Sequence, residues 1–182
     1  YTLSLTTLFR SHRTVVVISN NPKAGGIEIA EKLGTPVEVV GLPEIEDKLE
    51  RRLNHESNID AILRKFDVEL IILSGYMRLL SAEFVNKWEM QIVNIHPSLL
   101  PSFRGKNAVD QALRKGVKFT GCTVHIVDSG IDTGTILDQE IVKVSKNDST
   151  ESLKKKILKK EHYLYIKVIK KLEKYFENVK DR

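Results

Sequence analysis

The chain has 182 residues, long enough for a single domain with a sizeable core, and its 41% hydrophobic and 29% charged residues are ordinary for a globular protein. A formal net charge of +5 suits either nucleic acid or anionic small substrates. The apolar runs at 15–18 and 70–73 are too short to span a membrane, residues 1–13 lack the pattern of a secretory signal, and the single Cys122 excludes an intramolecular disulfide and fits a reducing, cytoplasmic setting.

Taken in order, residues 14–19 (TVVVIS) are β-branched and continuous, which predicts a strand buried on both faces. A short helix over 26–33 stops at Gly34, and 37–40 is a second strand. Helical periodicity runs over 45–65. The third buried strand, 69–73, is closed by Ser74 and Gly75, and Ser81 is an N-cap for a helix to Lys87. Residues 91–95 form a fourth strand, and 108–115 a helix that Gly116 caps. Two further strands are expected at 120–127 and 135–144. Ser149 then opens a long final helix, with Ser152 where a capping box prefers Glu or Gln. Such alternation predicts an α/β fold with a largely parallel central sheet, its ligands beyond the carboxyl ends of the strands.

The final helix carries most of the positive charge. Lys154, Lys155, Lys156, Lys159, Lys160, Lys167, Lys170 and Lys171 alternate at helical spacing with Leu153, Ile157, Leu164, Val168 and Leu172, the pattern of a solvated face. Tyr163 and Tyr165, two apart on a helix, point to different sides and make a poor platform for bases. A nucleic-acid partner is therefore not expected. Glu161 falls in the middle of the apolar stripe, where a carboxylate is costly without a partner. That partner is either a nearby lysine or a ligand.

Asn94 and His96 end the fourth strand on one face, because side chains two apart in a strand point the same way. An amide can donate to a developing oxyanion, and an imidazole can hold or give a proton near neutrality. Pro97 and Pro101 fix the exit of the chain. Gly130 and Gly134 flank Asp132 and permit a tight loop. Asp132 either orients and charges the imidazole or is an ordinary turn aspartate. His12, His55, His96, His125 and His162 show no metal-ligand spacing.

The run from Ile92 to Phe103 (IVNIHPSLLPSF), with Thr120 to His125 (TGCTVH) and Ile131-Asp132-Thr133-Gly134, resembles the glycinamide ribonucleotide formyltransferases of the 10-formyltetrahydrofolate-dependent formyltransferase family. The resemblance runs from about Thr14 to about Lys171. It implies a three-layer fold with helices on both faces of a mostly parallel sheet and a Rossmann-like amino-terminal half. It implies formyl transfer from 10-formyltetrahydrofolate, a co-substrate, to the glycyl amine of glycinamide ribonucleotide in de novo purine biosynthesis, without a metal. It implies that Asn94 donates to the formyl oxygen, that His96, as imidazolium, stabilises the same charge, and that Asp132 holds His96 and helps move the proton. Arg52, Met77, Arg78, Leu79 and Leu80, with Val127, Asp128, Ser129 and Ile131, are implied in folate binding. Gly75, Pro97 and Glu161 are implied in substrate binding, Glu161 on the ribose hydroxyls. A surface or core role remains open for Arg52, Met77 and Leu80.

The family's first strand and its Gly-Ser-Asn-rich phosphate loop are not found. The opening YTLSLTTLFRSHR resembles part of the helix after that loop, and an incomplete chain is the expectation. Residues 1–182 are read as one formyltransferase domain lacking those elements, a monomer or weak homodimer without membrane attachment. Methionyl-tRNA formyltransferase-like activity, formyltetrahydrofolate deformylase activity and a non-catalytic RNA-binding relative remain as alternatives.

Overall fold

A computed structural model describes residues 13–180, with side chains described to residue 172. The expected helical opening over residues 1–12 lies outside the described residues. Two compact units divide at Gln91 and Ile92.

Unit 1 is built from short elements. Strand β1 (Val17–Ser19) leads into helix α1 (Gly25–Lys32), then β2 (Val37–Val39), α2 (Lys48–Lys65), β3 (Ile71–Leu73) and α3 (Ala82–Lys87). β1 and β2 are parallel, with Val17 opposite Val37 and Ser19 opposite Val39. Helix α2 starts later than its periodicity predicts because Asp47 caps it, accepting from the Glu50 N–H at 2.7 Å. Ser81 caps α3 as expected and is itself bound by the buried Glu56, which accepts from the Ser81 N–H at 2.8 Å and from its hydroxyl. Trp88, also buried, donates to Asp60 at 2.8 Å with Arg64 stacked 4.7 Å from its ring.

The expectation of strands buried on both faces fails in this unit. β1 is half-buried throughout, and Ile72 of β3 is 38% exposed. A strand is sealed only where both faces and both edges are covered, and among the described residues of unit 1 β1 has one strand neighbour.

Unit 2 is better packed. It runs β4 (Ile92–His96), α4 (Ala108–Arg114), β5 (Phe119–Ile126), β6 (Ile136–Lys143) and α5 (Thr150–Lys180). β4 pairs with β5 and β5 with β6, both antiparallel. The parallel arrangement predicted from strand–helix alternation thus belongs to unit 1. The connection from β5 to β6 is a loop too short for the crossover that parallel strands require.

On β6, side chains of alternate residues divide the two faces. Asp138, Glu140 and Val142 share the face toward α5: Asp138 pairs with Lys167 and Lys171 at 3.0 and 3.2 Å, and Glu140 with Lys160 at 3.0 Å. Lys155 and Lys156 pair with Glu151 and Asp148. Much of the lysine run is therefore locally neutralised. Leu153, Ile157, Leu164, Tyr165 and Val168 form the buried stripe of α5, and the Tyr165 hydroxyl donates to the Val93 carbonyl at 3.0 Å. Ser149 and Ser152 bond reciprocally through each other's backbone N–H at 3.1 and 3.0 Å, so a serine completes the capping box. Among the described residues no helix is long and apolar enough to cross a membrane.

Candidate active site

The register of unit 2 creates a polar row on the face of the sheet opposite α5. Asn94 lies opposite His125, His96 opposite Thr123, and Thr123 opposite Gln139. Directly opposed residues share a face. Asn94, His96, Thr123, His125 and Gln139 therefore project together from three strands, flanked by the buried Ile92, Val93, Cys122 and Val124. His96, Thr123 and His125 are themselves buried, so each needs hydrogen-bond partners.

His96 has an acceptor at each ring nitrogen. Nδ1 lies 3.2 Å from Asp132 Oδ2, and Nε2 lies 2.8 Å from the Phe103 carbonyl. The same Asp132 oxygen accepts from the Gly105 N–H at 2.7 Å. Three residues around the imidazole adopt left-handed backbone: Asp132 at φ 51°, Phe103 at 56° and Gly105 at 76°. For Asp132 and Phe103 this conformation is sparsely populated and must be held by its surroundings. The flanking glycines show how. A Cβ on Gly134 would sit 1.9 Å from the Ile126 carbonyl oxygen, and one on Gly130 would sit 2.0 Å from the Thr133 hydroxyl. The loop closes at its base through the Ile126 N–H, which donates to the Thr135 carbonyl at 2.9 Å. Asp132 is thus held against the His96 ring by its loop.

Burial holds His96 below its ordinary value of 6.5, against the Phe103 carbonyl and the Asp132 charge, which favour the protonated ring. The expectation of a resting imidazolium is shifted accordingly. The geometry suits two ring protons, and desolvation opposes the second. Burial also disfavours the Asp132 carboxylate. The contact with His125, the Gly105 N–H and the two imidazoles together outweigh it and keep Asp132 below the ordinary carboxylate range.

His125 was not singled out from sequence. Its Nδ1 lies 2.8 Å from the Ile126 carbonyl and so carries a proton. Its Nε2 lies 3.4 Å from the Asn94 amide nitrogen. Nε2 also lies 3.6 Å from Asp132 Oδ1. The signal for His125 was its two-residue spacing from Thr123 on β5, legible only once the β4–β5 register is known.

Residues 5–169 match the formyl transferase family. The chain is 41% identical to phosphoribosylglycinamide formyltransferase of Bacillus subtilis (strain 168), over 86% of this chain and 78% of that protein. It is 43% identical to the human trifunctional purine biosynthetic protein adenosine-3, over 82% of this chain and 14% of that protein. The chain therefore spans a small fraction of the trifunctional relatives it matches. The crystal structure of phosphoribosylglycinamide formyltransferase from Anaplasma phagocytophilum superposes with a TM-score of 0.79 at 42% identity, covering 88% of this chain and 74% of that one.

This chain belongs to the formyl transferase family.

The polar row described above lies within the matched residues. The remaining expected residues fall into two groups. In unit 1, Met77 and Leu79 are 72% and 58% exposed, while Arg78 and Leu80 are half-buried. Gly75 takes a left-handed φ of 66° in open space. Arg52 is half-buried on α2, and its Nε is sealed from solvent without a hydrogen-bond partner. The exposure of Met77 excludes its reading as a core residue. His55, one helical turn beyond Arg52, is buried and held below its ordinary value by desolvation and by the charge of Arg78. In unit 2, Asp128 accepts from the Gly130 N–H and the Thr133 hydroxyl, which shapes the loop carrying Val127, Ser129 and the half-exposed Ile131. Pro97 is half-buried directly after His96. Glu161 sits mid-stripe on α5, and burial pushes its carboxyl up to about 7. Among the described residues it has no ion pair; the neighbouring Lys160 pairs with Glu140 instead. Among the described residues no group of three or more His, Cys, Asp or Glu is placed to hold a metal ion.

Proposed function

We propose that this chain transfers the formyl group of 10-formyltetrahydrofolate to the glycyl amine of glycinamide ribonucleotide, a step of de novo purine synthesis, in a cytoplasmic setting. The observation that carries the reading is the polar row, with Asp132 3.2 Å from His96 and Asn94 on the same face, in a chain whose relatives include a phosphoribosylglycinamide formyltransferase. We treat residues 1–182 as one formyltransferase domain, because the family match crosses both units.

The bound folate supplies the formyl group. Everything else is the work of side chains on the chain itself. Asn94 donates to the formyl oxygen as negative charge grows there. His96, its ring nitrogens held by Asp132 and the Phe103 carbonyl, stabilises the same charge electrostatically as imidazolium, and a preorganised donor such as the Asn94 amide is worth roughly 10²–10³ in rate. Asp132, ionised and fixed by Gly105, faces the imidazole and helps pass the proton released by the attacking amine to the departing folate nitrogen. The exposed apolar Met77 and Leu79 with Leu80, and the unpartnered Nε of Arg52 together with Arg78, suit a flat heterocycle with an acidic tail. Val127, Asp128, Ser129 and Ile131 complete the folate assignment. Gly75, Pro97 and Glu161 are assigned to the nucleotide. Glu161, half-buried and without an ion pair among the described residues, suits a hydroxyl donor from a sugar better than it suits a lysine.

The test is formyl transfer by the full chain to glycinamide ribonucleotide, beside a His96→Ala variant. A loss of about 10³-fold in kcat in the variant is expected. No transfer by the folded wild-type chain at saturating levels of both substrates would exclude this reading, and formyl hydrolysis and transfer to initiator tRNA would be assayed next.

A further inference from the structure

One member of the polar row touches none of the three residues assigned to chemistry. Gln139 lies on β6, opposite Thr123, and its amide nitrogen reaches two acceptors at once. It lies 2.9 Å from the Leu100 carbonyl and 2.9 Å from the Thr123 hydroxyl oxygen. The fully buried Thr123 hydroxyl donates to the Ser98 carbonyl at 2.7 Å and accepts from the Leu100 N–H at 3.0 Å. A hydroxyl has one proton to give. With that proton committed to Ser98, both Leu100 and Gln139 must donate to it. The Leu100 carbonyl likewise needs a donor. The position therefore requires a side chain that ends in two N–H groups at this reach, which a primary amide supplies and a carboxylate does not.

These bonds fasten the first half of the segment that leaves β4. Ser98 extends the hold through its hydroxyl, which donates to the Ser102 carbonyl, and the Ser102 N–H donates to the Leu99 carbonyl at 3.0 Å. The next residues are the ones that grip the site: the Phe103 carbonyl on His96 Nε2, and the Gly105 N–H on Asp132 Oδ2. Both lie in left-handed backbone, a conformation that persists only while its surroundings enforce it.

We infer that Gln139 is a positioning residue for the catalytic imidazole: with Thr123 it pins Ser98 and Leu100, and so fixes the stretch whose Phe103 carbonyl and Gly105 N–H hold His96 and Asp132. The word catalytic rests on the function proposed above; the positioning itself does not. Loss of the clamp frees the Phe103 carbonyl from His96, and that carbonyl favours the protonated ring.

The experiment follows the His96 ring by NMR titration of the full chain. It compares Gln139→Met, which keeps the volume and removes both donors, with Thr123→Val and with Thr123→Ser, which restores the hydroxyl. Val142→Ala on the opposite face of β6 serves as a control for general loosening of the strand. The His96 midpoint is expected to fall by about half a pH unit or more in Gln139→Met and Thr123→Val, and to stay at the wild-type value in Thr123→Ser and Val142→Ala. If formyl transfer is established, kcat in the first two should fall about tenfold with KM within about twofold, since a displacement near 1 Å is enough for such losses. A midpoint unchanged in both folded variants, or one that falls equally in Val142→Ala, overturns the inference. Should Gln139→Met fail to fold, the Thr123→Val and Thr123→Ser pair decides. A wild-type chain that transfers no formyl group would count against the proposed function and leave the titration result standing.

Discussion

The two units solve the same packing problem to different depths. In unit 1, strands of three residues are at most half-buried, and Met77 and Arg78 lie on the loop between β3 and α3. In unit 2, the eight-residue β5 is buried from Thr120 to Ile126, and buried polar groups such as Thr123 and His125 sit in the middle of the sheet with partners supplied. The difference teaches where rigidity is needed. A residue that recognises the rim of a ligand tolerates a half-open setting. Groups that share a proton must be held to tenths of an ångström, which only a dry, fully bonded interior provides.

The largest test of the contrast is steric. Gly134→Ala places a methyl group against the Ile126 carbonyl in unit 2 and should destabilise the fold by about 3 kcal/mol or more, read by denaturant unfolding. Gly41→Ala in unit 1 meets no atom within 4 Å and should change stability by less than about 1 kcal/mol, with a small gain from the stiffer unfolded chain. Equal costs at the two sites would erase the distinction.

Glu161 offers an intermediate test with a definite sign. Its folded carboxyl is raised from 4.5 to about 7 by burial. Stability from this group is therefore fully present below pH 4.5 and is lost as pH rises through about 7, where the buried group ionises. Glu161→Gln should be more stable than wild type at pH 8 by roughly 2–3 kcal/mol at most, with the advantage vanishing near pH 4. A pH-independent difference between the two proteins would contradict the burial of this carboxylate.

The smallest effects concern helix caps. Ser149→Ala at α5 and Asp47→Ala at α2 should each cost about 1 kcal/mol in thermal or chemical unfolding, because caps act locally whatever packs around them. A markedly larger loss at Ser149 would mean that the better-packed unit amplifies even local defects.

Much of the frame was legible in advance. Among the described residues, the eleven elements follow the expected order of strands and helices, with Ser81 and Ser149 at the expected helix starts. The shared face of Asn94 and His96 was legible too, since strand alternation needs no knowledge of neighbouring strands. What stayed hidden depends on register or on backbone. His125, Thr123 and Gln139 join the row only when three strands are aligned. The Phe103 carbonyl and the Gly105 N–H act through atoms that every residue possesses, so no side-chain pattern could announce them. The burial of β1 was misjudged because an apolar run reports a preference for cover, not how much cover the chain supplies.

Between Val124 and His125 the pairing with β6 slips, so that His125 faces Ile136 and Leu137 is passed over. That extra residue shifts the phase of everything before it on β6, including the approach to Asp132. The stretch from Asp132 to Gln139 is therefore a measured length as well as a sequence. Homologues and engineered variants can exchange side chains at exposed points such as Thr133 or Thr135 more freely than they can add or remove one residue anywhere between these two. A single deletion there would turn Gln139 to the other face of the sheet or carry Asp132 away from His96.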